Sequence, residues 1–374
     1  MGEYVPGLEG VVAAETEISE VDGQGGRLIY RGGSLISELE GASFEEVAYL
    51  LWNGKLPSAG ELEALKSQLA AGRQMNAAAR AALQGIPKDA DPMDALRTAL
   101  SAQGARPGVP KPTLEDAVAY SAVTPTIIAA FHRQRRGQPW VEPDPQLDHA
   151  ANFLYMMKGE PPEADHARWL ETYLVLLADH GLNASTFAAR VIASTGTDLC
   201  SALVGAIGAL KGPAHGGAAT AAKRMVEKVG GVDKAERFVI DTLDKHEKLM
   251  GFGHRVYRTY DPRARILRDL AKTANPEYYP VAFKVEDVAM RELRDRHPER
   301  PNATNVDYWS AAVLDAAGFP TDFFTCVFAA SRVVGWSAHV LEYIAKDGRI
   351  IRPASKWTGP QPQDPNQERK ARAG

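Results

Sequence analysis

A chain of 374 residues with an apolar fraction of 45% is long enough for two domains, or for one large domain with a smaller insertion, and has the composition of an ordinary globular protein. Its net charge of -4 gives no general attraction to nucleic acid, so any anion-binding site has to come from local clustering. Cys200 and Cys326 are the only cysteines, which excludes a disulfide scaffold or a four-cysteine zinc site; both lie in apolar helical patterns that predict buried thiols.

The N-terminus, MGEYVPGLEG, has no basic region followed by an apolar run, and no apolar run approaches the roughly eighteen residues of a membrane span. The expectation is a soluble, cytoplasmic protein with neither membrane nor nucleic acid as partner. Residues 11–31 carry the one convincing β signal: Thr16, Ile18 and Glu20 alternate with Glu15, Glu17 and Ser19, and Asp22-Gly23 and Gly25-Gly26 supply a turn before Arg27-Leu28-Ile29-Tyr30. From there helices dominate. Ser43 with Glu46 makes a capping box ahead of Phe44, Val47, Ala48 and Leu51, and Asn53-Gly54 stops that helix. Ser58 with Glu61 opens the next, and Asp91-Pro92 opens another that runs to about Gln103.

After a proline-rich connection from Arg106 to Pro112, Thr113 caps a long apolar helix in which Pro125 predicts a kink. A loop spans Gly137 to Pro145, and helical spacing returns between Pro162 and Asp179. Between Ala184 and Leu210 the chain is crowded with Ala, Gly, Ser and Thr, which lets helices approach closely and predicts a buried central layer. The Gly212-Pro213-Ala214-His215-Gly216-Gly217 turn ends that layer, and an alanine-rich helix follows. Helices are then expected from about Lys234, from Pro262, over Val281 to Ala289, briefly after Asn305-Val306-Asp307 up to Gly318, and from about Asp322 to Lys346. Asp347-Gly348 reads as a turn. The last fifteen residues are polar, and predict a mobile tail or an arm lying on a partner.

Four breaks in the helical pattern present a polar group beside glycine or a helix start: His180, His215, His254 and Asp307. A single histidine at a helix end is more often a satisfied cap than a catalyst, but four such places point to a site built from helix termini. The stretch Gly251 to Ala264 adds Arg255, Arg258 and Arg263 close to His254, with Asp261-Pro262 opening a helix. Guanidinium groups beside a helix N-terminus favour a carboxylate or phosphate ligand. Two chemistries use these residue types. The histidines and Asp307 could bind a divalent metal that activates water, but no two histidines sit at i, i+4 or in a short H-x-H, and the arginines would repel the ion. Alternatively Asp307 is a general base, the histidines donate hydrogen bonds to oxygens gaining charge, and the arginines hold a polycarboxylate, which uses every residue type present.

The chain resembles citrate synthase of the compact bacterial and archaeal kind, from the hairpin to about Gly359. The segments that carry the resemblance are Asp179-His180-Gly181-Leu182-Asn183-Ala184-Ser185-Thr186, Gly212 to Gly217, Gly251 to Ala264, Asn305-Val306-Asp307, and Ser331-Arg332-Val333-Val334-Gly335-Trp336, in the family's order and approximate spacing. It implies a mostly helical fold with a short N-terminal β-hairpin: a large domain in residues 1–215 and 319–374, and a small inserted domain, 216–318, that closes over the site. It implies the condensation of acetyl-CoA with oxaloacetate and water to citrate and CoA, the opening step of the tricarboxylic acid cycle, without metal or other cofactor. Asp307 matches the base that deprotonates the acetyl methyl group, His215 the donor to the thioester oxygen, and His254 the group that polarises the oxaloacetate ketone. His180, Arg263 and Arg332 match oxaloacetate ligands, and Arg352 matches an arginine supplied by the second subunit of a homodimer. Met250, Gly251, Phe252, Gly253 and Arg258 match the CoA site.

Two departures stand out: Trp357 occupies a place where relatives usually have tyrosine shortly before a glycine, and Gly181 replaces a common glutamate. Arg255, Arg265 and Arg268 match no family ligand and are read as a solvated or salt-bridged face. Three alternatives remain: a 2-methylcitrate synthase using propionyl-CoA, separated by one methylene worth about 1–3 kcal/mol; a metal-dependent hydrolase; and a helical scaffold that has lost catalysis, which the complete His, Asp and Arg set argues against.

Overall fold

The computed structural model describes residues 4–253, 256–300, 302–346 and 348–359. Near the N-terminus, strands β1 (Ser19–Asp22) and β2 (Arg27–Tyr30) pair antiparallel, with Ser19 opposite Tyr30, and a two-residue β3 (Ser34–Leu35) extends the sheet beside β2. The turn is held by Asp22, whose Oδ1 accepts from the N–H groups of Gln24 (3.1 Å) and Gly25 (2.8 Å). The hairpin is present but starts later than the alternation predicts, because residues 17 and 18 direct their N–H groups elsewhere: Glu17 N–H donates to the Glu342 carboxylate (2.6 Å) and Ile18 N–H to Thr16 Oγ1 (3.1 Å).

Helix α1 (Phe44–Asn53) begins in the expected capping box, Ser43 with Glu46, and ends on Gly54; α2 (Ala59–Gly72) begins in the box of Ser58 with Glu61. Helix α3 (Ala77–Gln84), capped by Asn76, was not expected, and α4 (Pro92–Gln103) matches its predicted bounds. The long α5 (Leu114–Arg135), capped by Thr113, runs unbroken through Pro125, with the Thr124 hydroxyl donating to Tyr120 O (2.6 Å) one turn back. Helix α6 (His149–Lys158) is a second addition, followed by α7 (Ala164–Leu177).

The small-residue stretch forms α8 (Ala184–Ala193) and α9 (Leu199–Leu210), packed on each other and on the last helix. Next come α10 (Ala218–Val229), α11 (Ala235–Asp244), α12 (Pro262–Ala274), α13 (Tyr279–Arg296) and α14 (Val306–Ala316). Within this group α12 and α10 both pack on α14, and α11 packs on α13.

The final helix, α15 (Phe324–Lys346), is the spine of the core: it contacts α1, α4, α5, α7, α8, α9 and α10. It corrects one expectation, since the segment Thr321–Lys346 is long and apolar enough to cross a membrane by length and composition; 89% of its most apolar 18-residue window is buried in the protein, which is the pattern of a core helix. Both cysteines are buried as expected, Cys200 with its thiol donating to Leu100 O (3.2 Å). Asp347 and the polar tail from residue 360 onward lie outside the described residues.

Candidate active site

His215 sits in the turn between α9 and α10, where its N–H donates to Gly212 O and the Gly216 N–H donates to Leu210 O, both at 2.9 Å. Its Nε2 lies 2.8 Å from Ser185 Oγ in the first turn of α8, and its ring stands edge-on to Phe328, 6.2 Å between centroids. Burial first, and the nearby Arg332 charge second, lower the His215 pKa to about 4. The ring is therefore neutral at physiological pH. With Nε2 engaged, Nδ1 takes no protein partner among the described residues and is the nitrogen left for a reactant.

Asp307 lies in the first turn of α14, and Asn305 builds its surroundings. The Asn305 side chain caps the helix by accepting from Asp307 N–H (3.1 Å) and donates through Nδ2 to Gly253 O (3.1 Å), while its own N–H donates to Gly251 O (3.0 Å). Gly253 N–H donates to Ala303 O at 2.8 Å, so residues 251–253 run as a short antiparallel ribbon beside 303–305. Glycine is required at 251: φ is +88° and a Cβ would lie 2.7 Å from the Tyr308 side chain. The Asp307 carboxyl is half-buried, and its pKa is raised to about 6, chiefly by loss of solvent, against the pull of the Arg263 and Arg332 charges. A carboxylate poised near neutrality, partly exposed and under the charge of two arginines, is suited to general-base work on a bound anion.

The two buried arginines differ. Arg263, 3% exposed, is gripped by Asp261 in a bidentate pair, Nε to Oδ1 at 3.1 Å and Nη2 to Oδ2 at 2.8 Å. Burial alone would lower its pKa, but Asp261 more than offsets that and holds the guanidinium firmly charged. Arg332, 1% exposed on α15, donates Nε–H to Leu177 O (2.7 Å) and lies over the Phe328 face at 4.8 Å, with no carboxylate in direct contact among the described residues. Burial accordingly lowers its pKa. A buried cation without a salt-bridge partner is costly, and an anionic ligand relieves it. His180, in the loop between α7 and α8, completes the group: its Nε2 lies 3.3 Å from the Tyr257 hydroxyl.

The structure thus brings His215, Asp307, Arg263 and Arg332 into one electrostatic neighbourhood, in which the Arg332 charge acts on His215, Asp307 and Arg263 alike, and His180 joins it through Tyr257, on which the Arg263 charge acts. Met250 to Gly253 border it through Asn305. Arg258 and Arg352 are exposed: Arg258 N–H donates to Gly23 O at the hairpin tip (2.8 Å), and Arg352 follows Ile351, whose N–H donates to Ser194 Oγ at the end of α8 (3.0 Å). His254 and Arg255 lie outside the described residues. Arg265 and Arg268 both pack over the Tyr260 ring, and Arg268 also lies beside Asp269 and Glu286, in keeping with a structural face. A cavity of about 530 Å³ bounded by Tyr30 to Gly33 and by Asn53 and Gly54 is lined by none of the site residues. Among the described residues no group of three or more His, Cys, Asp or Glu side chains is placed to hold a metal ion.

The sequence reads Asp261 only as the start of a helix and gives Ser185 and Asn305 no role in the site, yet these three hold Arg263, His215 and the glycine ribbon. Each stands inside a motif that was singled out, so position relative to the reactive group was the available signal.

Comparison with known proteins agrees over nearly the whole chain. The family profile described as "Citrate synthase, C-terminal domain" matches residues 7–354. The chain is 43% identical over 368 residues to the citrate synthase of Haloferax volcanii, covering 96% of each, and 40% identical over 373 residues to that of Deinococcus radiodurans, covering 97% of this chain and 98% of the relative. Among solved structures, the ternary complex of carboxymethyl coenzyme A and oxaloacetate with citrate synthase from Thermoplasma acidophilum aligns with a TM-score of 0.91 at 32% identity, covering 97% of this chain and 98% of that one. Citrate synthase from Thermotoga maritima aligns with a TM-score of 0.85 at 42% identity, covering 96% of both chains.

Proposed function

The chain belongs to the citrate synthase family and is an acyltransferase that condenses acetyl-CoA with oxaloacetate and water to give citrate and CoA, and we propose that Asp307 is the base that starts this reaction. The relatives reported above are named citrate synthases, which does not favour the propionyl-CoA alternative. The observation that carries the site reading is the half-buried Asp307 carboxyl, its pKa raised to about 6, beside the buried Arg263 and Arg332.

In this reading the carboxylates of oxaloacetate sit against Arg332 and the Nη1 edge of Arg263, with His180 as a further ligand and the partner subunit's Arg352 closing the site in a homodimer. Asp307 takes a proton from the acetyl methyl group. With the Ser185 hydroxyl turned to donate to Nε2, the neutral His215 ring carries its proton on Nδ1 and directs it to the thioester oxygen as negative charge grows there, which is where a fixed donor lowers the barrier most. His254 donates to the oxaloacetate ketone oxygen while the new carbon–carbon bond forms. Water then cleaves the citryl thioester and CoA leaves. Acid–base groups and cations of the chain supply every charge these steps require, so the reaction is assigned no cofactor.

Met250 to Gly253 and Arg258 are assigned to the CoA side, and residues 216–318 to a small domain that closes over the site and excludes water. The mutual packing of α10 to α14 supports that division, as does the Gly212 to Gly217 turn at its start. The direct test is CoA release from acetyl-CoA and from propionyl-CoA, each with and without oxaloacetate, in excess chelator. The reading expects release from acetyl-CoA that depends on oxaloacetate; loss on chelation with recovery on adding zinc or manganese would replace it with a metal-dependent reaction.

A further inference from the structure

Arg332, Gly335 and His339 fall at i, i+3 and i+7 on α15 and form one stripe of that helix. The segment carrying Asp179 and His180 lies directly on the stripe: a Cβ at Gly335 would stand 2.3 Å from Ala178 O and 2.5 Å from Asp179 Oδ1. One turn further along, the imidazole of His339 is fully buried between two charges. Its Nδ1 faces Arg190 of α8, at 2.9 Å from Nη2 and 3.2 Å from Nε. Arginine only donates, so Nδ1 is an acceptor and the proton of the neutral ring is on Nε2. That nitrogen lies 3.3 Å and 3.4 Å from the two oxygens of Asp179.

Asp179 touches no part of the reaction assigned above, yet it is wholly buried and holds the backbone on both sides of His180. Its Oδ2 accepts from Gly181 N–H (3.0 Å) and from the Ser19 hydroxyl of the hairpin, and its own N–H donates to the Tyr30 hydroxyl (3.2 Å). Burial would raise the Asp179 pKa, but His339, Arg332 and Ser19 more than offset that and keep it an anion. Its negative charge in turn acts on Arg332. Arg190 is balanced separately by the buried Glu342 carboxylate, which leaves the imidazole as the neutral link between the two pairs.

We propose that His339 is a positioning residue for oxaloacetate: by donating to Asp179 while accepting from Arg190, it fixes the loop that presents His180 and the counter-charge that sets Arg332. The proposal rests on His180 and Arg332 being oxaloacetate ligands. A residue that merely fills the core would affect both substrates or only stability when replaced. A positioning residue on the oxaloacetate side shifts one Michaelis constant selectively.

The test is steady-state kinetics of the full-length enzyme with each substrate varied at saturation of the other. His339→Leu, which keeps bulk and removes both hydrogen bonds, is expected to raise the oxaloacetate KM about tenfold or more, with the acetyl-CoA KM changed by less than about twofold. His339→Gln offers an amide N–H to Asp179 and an amide oxygen to Arg190, and should restore most of the loss. Ser19→Ala removes one donor to Asp179 from the half-buried hairpin without touching the core, so it decides the matter if the leucine variant fails to fold; a rise of several-fold in the same constant is expected. His180→Ala is the reference. If it raises the oxaloacetate KM while Ser19→Ala and the folded His339 variants do not, or while they raise both constants equally, positioning by His339 is overturned and the ligand assignment stands. If His180→Ala leaves that constant unchanged, the ligand assignment falls and takes this proposal with it.

Discussion

The Nε2 atom of His215 and the Oγ atom of Ser185 lie 2.8 Å apart, and the same hydroxyl is held by Asn183 Oδ1 (2.8 Å) and by the indole Nε1–H of Trp336 (3.0 Å). Tryptophan can only donate, so Ser185 Oγ accepts from it; the one hydroxyl proton goes either to Asn183 Oδ1 or to His215 Nε2, and in the second arrangement the neutral imidazole is aimed with its own proton on Nδ1.

Ser185→Ala removes that anchor but leaves the arginines alone. Its expected effect is a fall in kcat of about tenfold to a hundredfold with little change in the oxaloacetate KM, measured by CoA release. A wild-type kcat would remove Ser185 from the account of His215.

The Asp307 carboxyl, with its pKa raised to about 6 from an ordinary 3.8, gives two pH signatures of defined sign. The base works as the anion, so kcat/KM should fall about tenfold per pH unit below roughly pH 6. His215, lowered to about 4, adds no limb near the ordinary histidine value. For stability the direction is opposite: a carboxyl raised in the folded state contributes stability that is complete below 3.8 and is lost as pH rises through about 6. Asp307→Asn should therefore unfold at a higher temperature than the parent at neutral pH, with the difference closing toward about pH 4. Thermal unfolding across that window checks it; a variant less stable than the parent at neutral pH would contradict the assigned environment.

The exposed Arg352 follows an extended segment tied to the end of α8 by the Ile351 N–H, and its proposed site is the partner subunit. Mixed dimers of Asp307→Ala and Arg352→Ala subunits then carry one doubly defective and one intact site. Refolding the two inactive proteins together at equal amounts should recover about a quarter of parental activity, since about half the dimers are mixed and each has one good site of two. Recovery absent from a preparation shown to contain mixed dimers would remove the shared site.

What the sequence made legible follows the range of the forces involved. The capping boxes at Ser43 and Ser58 and the proline starts at Pro92 and Pro262 act within one turn, and all four helices begin where local chemistry puts them. The start of β1 was misplaced because Glu17 gives its N–H to Glu342, a residue at the other end of the chain. Helix α3 is eight residues of mostly alanine with no stripe of large apolar groups, and α6 starts on Asp148, whose side chain makes no cap. In the site, the reactive residues were legible through motif and resemblance, whereas Ser185, Asp179, Arg190 and His339 acquire meaning only when α8 and α15 are brought together by packing.

The central claim is that Asp307 acts on the bound reactants as a base while the arginines hold oxaloacetate in the ground state. Binding of oxaloacetate and turnover, measured side by side on Asp307→Asn, separate the two roles. The account predicts an oxaloacetate Kd within a few-fold of the parent and a kcat lower by about a thousandfold or more. Near-parental turnover in that variant would contradict it.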